Sequence, residues 1–193
     1  VYGDTNSTLA GALVAAKLHI PVAHVEAGLR SFNRAMPEEI NRIVADQLSD
    51  VLFASTEAAA GNLRCEGVAP ERIFAVGDVM YDAALQFADA AAQRGNLLSE
   101  IGIEPKRYVL ATIHRAENTD DPTRLANIVA ALEAVAGTLP VVLPLHPRTQ
   151  ARMQAAGLAF SRVRIVPPVG YLDMTALESQ AALIATDSGG VQK

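Results

Sequence analysis

Short apolar runs alternate with Ala-rich amphipathic stretches along all 193 residues of the chain. This alternation is typical of parallel β-strands joined by crossover helices. The apolar runs predict strands at residues 21–25, 51–54, 73–76, 108–112, 141–145, 163–166 and 182–185. The Ala-rich stretches predict helices near residues 6–18, 37–49, 57–66, 79–93, 122–136, 147–156 and 173–180. The pattern therefore predicts an α/β fold built on parallel sheets.

Capping signals set the predicted starts and ends of several helices. The Thr-Asn-Ser run at 5–7 offers side-chain oxygens to the first free N–H groups of one helix. The Pro-Glu-Glu run at 37–39 places proline at the first helical position and acids in the first turn, where both are favourable. Ser55 or Thr56 is expected to cap the next helix, and Gly67 to end it.

A change of composition indicates two domains. Residues 95–107 mix glycine, proline and charged residues and precede a new apolar run. We therefore expect a domain boundary between about Gly77 and Lys106. The predicted division is a first domain at residues 1–80, a helical linker region at 81–106 and a second domain at 107–193.

Both ends of the sequence resemble the interior of a longer chain. Val1-Tyr2 runs directly into Gly-Asp, as the end of a strand does, and no methionine stands at the start. Residues 186–190 look like a strand that leads into a helix start shortly before Lys193. We expect an internal fragment that lacks at least one element at each end.

Composition and charge exclude several classes of protein. The chain is 50% hydrophobic and 19% charged, which excludes a disordered protein. Its 16 basic and 21 acidic residues give a net charge of -5, which argues against a nucleic-acid partner or an anionic membrane surface. One cysteine, Cys65, cannot form an internal disulfide, so a reducing, cytoplasmic location is expected. No apolar run is long enough to cross a membrane.

Polar residues directly after the predicted strands are the first candidates for chemistry. Ligands of parallel α/β sheets bind outside the carboxyl ends of the strands. The candidates at those positions are Asp4, Glu26, Asp78, His114, His146, Asp187 and Ser188.

Three carboxylates have both a structural and a functional interpretation. Asp4 is either a residue at a strand tip that can carry chemistry or an acid that starts a helix or an Asx turn. Glu26 either serves a site or forms a salt bridge with Arg30. Glu38 and Arg42 have the spacing of an ordinary helical ion pair, which physical chemistry alone favours.

The second half of the chain offers a phosphate site. His114 and Arg115 join a titratable ring and a guanidinium after a strand, whereas a lone histidine such as His146 is often only a loop residue. The small residues at 186–190 would expose backbone N–H groups to an anion if they begin a helix. The sequence contains neither a Walker loop nor a GxGxxG motif, and its histidines lack metal-ligand spacing, so neither a cofactor nor a metal is expected.

Five motifs together resemble a known family. They are Tyr2–Thr8, His24–Arg30, Met36–Arg42, Thr112–Asn118 and Thr186–Gln192. In this order they are similar to the signatures of the non-hydrolysing UDP-N-acetylglucosamine 2-epimerases. The resemblance implies two Rossmann-like domains in the glycosyltransferase-B arrangement, each incomplete in this sequence, because the family is about twice as long.

The resemblance also implies a reaction and partners. Members convert UDP-GlcNAc into UDP-ManNAc by eliminating UDP and adding it back to a 2-acetamidoglucal, without an added cofactor. The expected partners are the UDP-sugar, a second regulatory UDP-GlcNAc molecule in bacterial members, and another copy of the chain in a homodimer.

The same resemblance assigns roles to individual residues. The implied catalytic residues are Asp4, Glu26, Glu38 and His114. The implied substrate-binding residues are Arg115, Tyr171, Met174, Ser188, Gly189 and Gly190. His146 matches the position associated with the second, regulatory nucleotide sugar.

Two departures from the family pattern affect the expected substrate and activity. Tyr2 stands where many members have histidine, and Lys193 stands where some have glutamate. The Tyr-Gly-Asp-Thr-Asn-Ser run also resembles relatives that act on UDP-2,3-diacetamido-2,3-dideoxyglucuronate. A glycosyltransferase of the same fold and a nucleotide-sugar-binding regulatory module are further alternatives. Because the family's N-terminal basic contacts are missing, the fragment by itself is expected to be inactive.

Overall fold

The structure is a computed structural model that describes residues 1–93 and 96–192. The chain divides into two compact units, Val1–Val79 and Met80–Lys193. Each unit contains a parallel β-sheet with helices between the strands. The α/β class with parallel sheets is thus confirmed.

The first unit is built on a three-stranded sheet. Its strands are β1 (Ala23–Ala27), β2 (Val51–Ala54) and β3 (Ile73–Ala75), paired in parallel in the order β1-β2-β3. Tyr2 adds an isolated parallel bridge to Val25. The helices of this unit are α1 (Asn6–Lys17), α2 (Pro37–Leu48) and α3 (Glu57–Cys65).

The second unit is built on a four-stranded parallel sheet in the order β6-β5-β4-β7. Its strands are β4 (Val109–Thr112), β5 (Val141–Pro144), β6 (Arg164–Val166) and β7 (Leu183–Thr186). Its helices are α4 (Val79–Ala92), which begins at the boundary, α5 (Asn96–Glu100), α6 (Ala116–Thr119), α7 (Pro122–Ala136), α8 (Pro147–Ala155) and α9 (Tyr171–Gln180).

The capping signals in the sequence operate as predicted. The side chain of Thr5 accepts a hydrogen bond from the Thr8 amide at the start of α1. Thr56 does the same at α3, where its Oγ1 lies 3.1 Å from the Ala59 nitrogen. Pro37 occupies the first turn of α2, as the Pro-Glu-Glu run predicts. Local sequence therefore sets where these three helices begin.

Alternating strand residues cover both faces of the second sheet. One cluster joins β4 and β5 to α7 and contains Val109, Ala111, Val141, Leu143, Leu125 and Val129. The other joins the opposite face to α5 and α9 and contains Tyr108, Leu110, Val142, Leu98, Ile103 and Leu177. Parallel strands that are buried on both faces are apolar along nearly their whole length, as the two central strands β4 and β5 are. The carboxyl ends of the strands are thereby held on a rigid support.

Several predicted boundaries need correction. Strand β1 begins at Ala23 and runs to Ala27, two residues later than predicted, because Pro21 lies outside the ladder and pairing continues past Val25. Helix α9 begins at Tyr171 rather than at Asp173. Residues 187–192 form bends and turns rather than the expected helix start, and Lys193 lies outside the described residues. The two short helices α5 and α6 have no counterpart in the predicted pattern.

A carboxylate from α7 holds the segment before β6. The Glu133 side chain accepts hydrogen bonds from the backbone nitrogens of Ser161, Arg162 and Val163 and from the Ser161 hydroxyl, at 2.7 to 3.3 Å. Hydrogen bonds from the Arg162 amide and the Ser161 side chain lower the pKa of Glu133 to about 2. These bonds favour the ionised carboxylate, so they stabilise the folded unit only when Glu133 is charged.

Replacing Glu133 with glutamine is therefore expected to lower the melting temperature at pH 7. In the wild type this stabilisation is complete above the unfolded pKa of 4.5 and is lost as the pH falls towards the folded value of about 2. Calorimetry at pH 7 and pH 3 should show the two proteins converging at the lower pH. Glu100→Gln, an exposed position at the end of α5, is the control. A pH-independent difference between Glu133→Gln and wild type would contradict this account.

Within the described residues, no helix is both long enough and apolar enough to cross a bilayer.

Candidate functional site

The end of strand β1 has an irregular backbone that reorients Glu26. The β1–β2 register shifts between Val25 and Ala27, and Glu26 between them has a φ of +73°. This left-handed conformation is unusual for a residue with a side chain, and such bulges commonly lie beside functional sites. The Glu26 carboxylate lies over the Gly3 backbone, with Oε2 3.5 Å from the point a Cβ on Gly3 would occupy. Strand pairing alone would not aim Glu26 there.

Asp4 follows Gly3 and is held by Arg42 from helix α2. Its Oδ2 accepts hydrogen bonds from Arg42 Nε at 3.0 Å and Nη2 at 2.6 Å. A third contact joins Arg42 Nη1 to Glu39 Oε2 at 3.0 Å. The alternative in which Arg42 pairs with Glu38 is therefore wrong, because its guanidinium is directed to Asp4 and Glu39. The Asp4 carboxylate is fixed by a charge-assisted contact from a different element.

Glu38 and Glu39 are adjacent but have different environments. Glu39 is 1% exposed and accepts hydrogen bonds from the Ser31 amide and hydroxyl and from the Phe32 amide. Burial by itself would raise the pKa of Glu39, but the hydrogen bonds from Ser31, Arg42 and Phe32 lower it below its ordinary value. Glu38, in the same first turn of α2, is exposed. Glu39 thus holds the loop before α2, while Glu38 remains accessible to a ligand.

Phe32 is an exposed residue in that loop. It has a φ of +56° and is 79% exposed. The Glu39 carboxylate holds the amide of this left-handed residue, as it does that of Ser31. The loop conformation is therefore set by a buried charge on α2 rather than by the loop's own sequence.

A buried group of charges supports the same end of β1. Asp46 of α2 is 0% exposed, and its Oδ1 lies 2.6 Å from Nδ1 of His24. Its Oδ2 accepts hydrogen bonds from the Gly28 amide at 3.1 Å and from Arg30 Nη2 at 2.8 Å. Arg30 also forms a two-point contact with Glu66 at 2.6 and 2.7 Å. Asp46 and Glu66 therefore both contact the Arg30 guanidinium, and a Glu26 partner is not needed to neutralise it.

These carboxylates shift the pKa of Arg30. Burial of its guanidinium would lower the pKa, but the hydrogen bonds and negative charges of Glu66 and Asp46 raise the pKa above its ordinary value. Arg30 therefore carries its full charge in this interior position.

In the second unit, Asp187 organises the segment after β4. Its carboxylate accepts hydrogen bonds from the backbone nitrogens of His114 and Arg115 and from the Asn118 side chain, at 3.0 to 3.2 Å. The His114 ring also contacts it, with Nδ1 3.1 Å from Oδ1. The Arg115 Nε donates in turn to the Asp187 carbonyl at 2.6 Å. The structure thus brings the His114–Arg115 motif and the 186–190 motif into direct contact.

The small residues after Asp187 form a turn beside these groups. The Ser188 amide donates to Thr186 Oγ1 at 2.9 Å. A Cβ at Gly189 would lie 3.9 Å from Arg115 Nη2. A Cβ at Gly190 would lie 3.4 Å from Met80 Cε. An open pocket of about 210 Å³ adjoins the turn and is lined by Thr112, Ile113, Asn118, Ile128, Leu132, Ala185, Thr186 and Asp187. The turn therefore lies at the carboxyl end of the sheet, beside the Arg115 guanidinium.

The remaining predicted site residues lie elsewhere in the second unit. Tyr171 opens α9, is 53% exposed and packs edge-on against Phe87 with ring centres 6.0 Å apart. Met174 packs partly against the core beside α9. His146 caps α8, where Nδ1 accepts a hydrogen bond from the Arg148 amide at 3.2 Å. The contacts described for these three residues do not include His114 or Ser188.

Sequence reasoning assigned no site role to four polar residues that make important contacts. Asp46, Glu39 and Arg42 lie inside helix α2, where the sequence suggests only a solvated helical face. Asp187 stood among the strand-end candidates but was given no role. The helical spacing of Glu39 and Asp46, seven residues apart and therefore on one face of α2, is a signal that was available.

Among residues 1–93 and 96–192, no cluster of three or more His, Cys, Asp or Glu side chains has an arrangement that could hold a metal ion.

Comparison with known proteins identifies the family. The sequence profile of the UDP-N-acetylglucosamine 2-epimerase family matches residues 1–193. The chain belongs to this family. Members of the UDP-N-acetylglucosamine 2-epimerase family that it resembles include a UDP-2,3-diacetamido-2,3-dideoxy-D-glucuronate 2-epimerase of Pseudomonas aeruginosa, which is 56% identical. That alignment covers all of this chain and 54% of the relative.

Solved structures agree with the family assignment. The UDP-GlcNAc 2-epimerase of Methanocaldococcus jannaschii, in complex with UDP-GlcNAc and UDP, is 47% identical and superposes with a TM-score of 0.89. The Neisseria meningitidis UDP-GlcNAc 2-epimerase bound to UDP-GlcNAc is 30% identical, with a TM-score of 0.84. All of this chain is covered in both comparisons, against 55% and 54% of those chains. The chain therefore spans about half the length of the family members it matches.

Proposed function

We propose that the protein containing this chain inverts the configuration at C2 of a UDP-linked 2-acetamido sugar. The reaction eliminates UDP to give a 2-acetamidoglucal and then adds UDP back. One observation carries the proposal. In a chain that matches the epimerase family throughout, the Glu26 carboxylate lies over Gly3 at the end of β1, and Asp4, fixed by Arg42, directly follows Gly3. Carboxylates fixed at a strand end suit proton removal and return.

The chemistry explains why carboxylates and phosphate-binding groups are both needed. The C2 hydrogen of the sugar is barely acidic, because no neighbouring carbonyl stabilises a carbanion. A base removes this proton while the C1–O bond to UDP breaks, and the electron pair forms the C1=C2 double bond. In the second half, UDP oxygen attacks C1 and an acid returns a proton to the opposite face of C2. A base and an acid on opposite faces therefore suffice without a redox cofactor.

We assign the proton transfers to the carboxylates of Asp4, Glu26 and Glu38. Asp4 is fixed by Arg42, and Glu26 is aimed by its left-handed backbone. Glu38 is exposed beside the loop that Glu39 holds. These features support pre-organisation of Asp4 and Glu26, while Glu38 is assigned on its accessible position.

The departing UDP carries negative charge and must remain bound to recombine. We assign this binding to His114, Arg115 and the Ser188–Gly190 turn, with Tyr171 and Met174 near the uracil. The Asp187 contact to Nδ1 orients the His114 ring with Nε2 on the far side. A ring fixed in this way can bind a phosphate oxygen at Nε2, and backbone N–H groups can share the charge.

Two candidate substrates are each supported by a specific observation. The family profile and the M. jannaschii complex favour UDP-GlcNAc, with UDP-ManNAc as product. The 56% identity to the P. aeruginosa protein favours UDP-2,3-diacetamido-2,3-dideoxyglucuronate. The same proposal includes a cytoplasmic location and a homodimer. It also includes a regulatory site for a nucleotide sugar at His146.

Deuterium exchange at C2 tests the reaction. The full-length protein is incubated in D2O with each UDP-sugar in turn, without added metal or nicotinamide, and C2 is followed by proton NMR. We expect deuterium at C2 together with the C2 epimer of one of the two substrates. Transfer of the sugar to an acceptor leaves the C2 hydrogen in place, and a binding module gives binding without exchange. Absence of exchange with both substrates, in folded protein that binds UDP, would contradict the proposal.

A further inference from the structure

The imidazole of His24 is enclosed between two oxygen acceptors. The residue is 0% exposed. Its Nδ1 lies 2.6 Å from Asp46 Oδ1, and its Nε2 lies 2.9 Å from the carbonyl oxygen of Gly3. Because the ring is buried, the protein itself must satisfy both ring nitrogens.

The chemistry of the two acceptors determines how many protons the two ring nitrogens of His24 carry. A backbone carbonyl can only accept a hydrogen bond, so Nε2 must donate to Gly3. Asp46 Oδ2 is in contact with the Arg30 guanidinium and with the Gly28 amide, so its carboxylate is placed as the anionic partner of two N–H donors. An ionised carboxylate also only accepts, so Nδ1 must donate as well. A neutral imidazole has one N–H group and cannot satisfy both oxygens.

We infer that His24 is a doubly protonated imidazolium that positions the Gly3–Asp4 turn. The charges balance within the group, since His24 and Arg30 are positive while Asp46 and Glu66 are negative. Buried charges are tolerated when they are paired and hydrogen-bonded in this way. The 2.6 Å contact is also at the short end expected for a charge-assisted hydrogen bond.

The role of His24 rests on the proposed function, because it acts through Asp4 and Glu26. Gly3 has a φ of +67° and carries Asp4 directly after it. The His24 ring holds the Gly3 carbonyl on one side of this residue, while Arg42 holds the Asp4 side chain on the other. Glu26, two residues beyond His24 on the same strand, lies over Gly3. His24 is therefore a positioning residue rather than a catalytic one.

NMR of the ring nitrogens tests the protonation state without reference to turnover. The full-length protein is labelled with 15N-histidine, and long-range proton–nitrogen spectra are recorded at pH 8. We expect one ring with both nitrogens protonated, which His24→Gln identifies by its disappearance. The exposed His19 gives the reference signal of a solvated ring. A His24 ring with one unprotonated nitrogen would overturn the inference, whatever the enzyme's activity.

Kinetics test the positioning role. We expect folded His24→Gln to lose about 10- to 100-fold in kcat with little change in KM, because a small misplacement of Asp4 spoils its alignment with C2. His19→Asn is the matched control, because His19 is exposed and its φ of +57° is readily adopted by asparagine. An unchanged kcat in folded His24→Gln would overturn the positioning role. Failure of the proposed function is recognised separately, since wild type then shows no exchange at C2. If His24→Gln does not fold, folded His24→Asn takes its place in both the spectra and the kinetics.

Discussion

Each of the substitutions Asp4→Asn, Glu26→Gln and Glu38→Gln is expected to lower kcat of the full-length protein by about 1,000-fold. The amides keep the shape of the side chains but cannot take a proton from C2 or return one. Glu26 has a left-handed backbone that is set by its surroundings, and glutamine in its place keeps that backbone. Glu26→Gln therefore tests the loss of the carboxylate and not a change in its position.

The loss is measured as the rate of deuterium exchange at C2. UDP affinity, measured by calorimetry, should change little, because we assign phosphate binding to residues of the second unit. Glu71→Gln, an exposed position between α3 and β3, is the control and should exchange at the wild-type rate. If any of the three variants keeps near-normal exchange, that carboxylate is not the acid or base proposed here.

Gly28→Ala is expected to lower the free energy of unfolding by about 3 kcal/mol or more. A Cβ at this position would lie 2.3 Å from the Ala59 carbonyl oxygen and 2.9 Å from Leu63 Cγ. The first contact is with backbone of helix α3, which cannot move aside as a flexible side chain does. The residue also has a φ of +80°, which disfavours alanine whatever the space. Strain and overpacking therefore act together.

Gly67→Ala separates these two effects. Gly67 has a similar φ of +85°, but a Cβ there would meet nothing within 4 Å. Gly67→Ala is therefore expected to lower the free energy of unfolding by about 1 kcal/mol, the cost of placing alanine in a left-handed conformation. Urea unfolding followed by circular dichroism compares both variants with wild type. Equal losses at the two positions would show that close packing against α3 is not what requires glycine at 28.

Most of the fold was predictable because it is encoded locally. Strand β2 and helix α7 have the predicted bounds, since an apolar run and a proline-opened amphipathic stretch each end abruptly in the sequence. Strand β1 was misplaced by two residues, because its irregular end at Glu26 leaves no trace in the hydrophobic pattern. The left-handed backbone there depends on packing rather than on local preference.

The candidate site was only partly predictable. Family motifs single out Asp4 and Glu26, and strand-end reasoning adds Asp187. The ion pair expected for Glu38 and Arg42 follows from helical spacing, yet Arg42 reaches Asp4, 38 residues away in sequence. No local pattern encodes such a contact, because it forms only when α2 packs beside the start of α1. The same is true of Asp46, whose partners come from β1 and the residues directly after it.

Three residues at the end of β1 contact the same Asp46 carboxylate, which links the geometry of the candidate site to the docking of helix α2. His24, Gly28 and Arg30 all donate to one carboxylate on α2, so the end of β1 lacks its hydrogen-bond partners until that helix is docked. Detachment of α2 and disorder of the strand end are then one cooperative opening rather than two independent motions. Exchange of the buried Gly28 amide with solvent would report that opening directly. A substitution that loosens α2 anywhere along its length can therefore impair turnover without approaching the substrate.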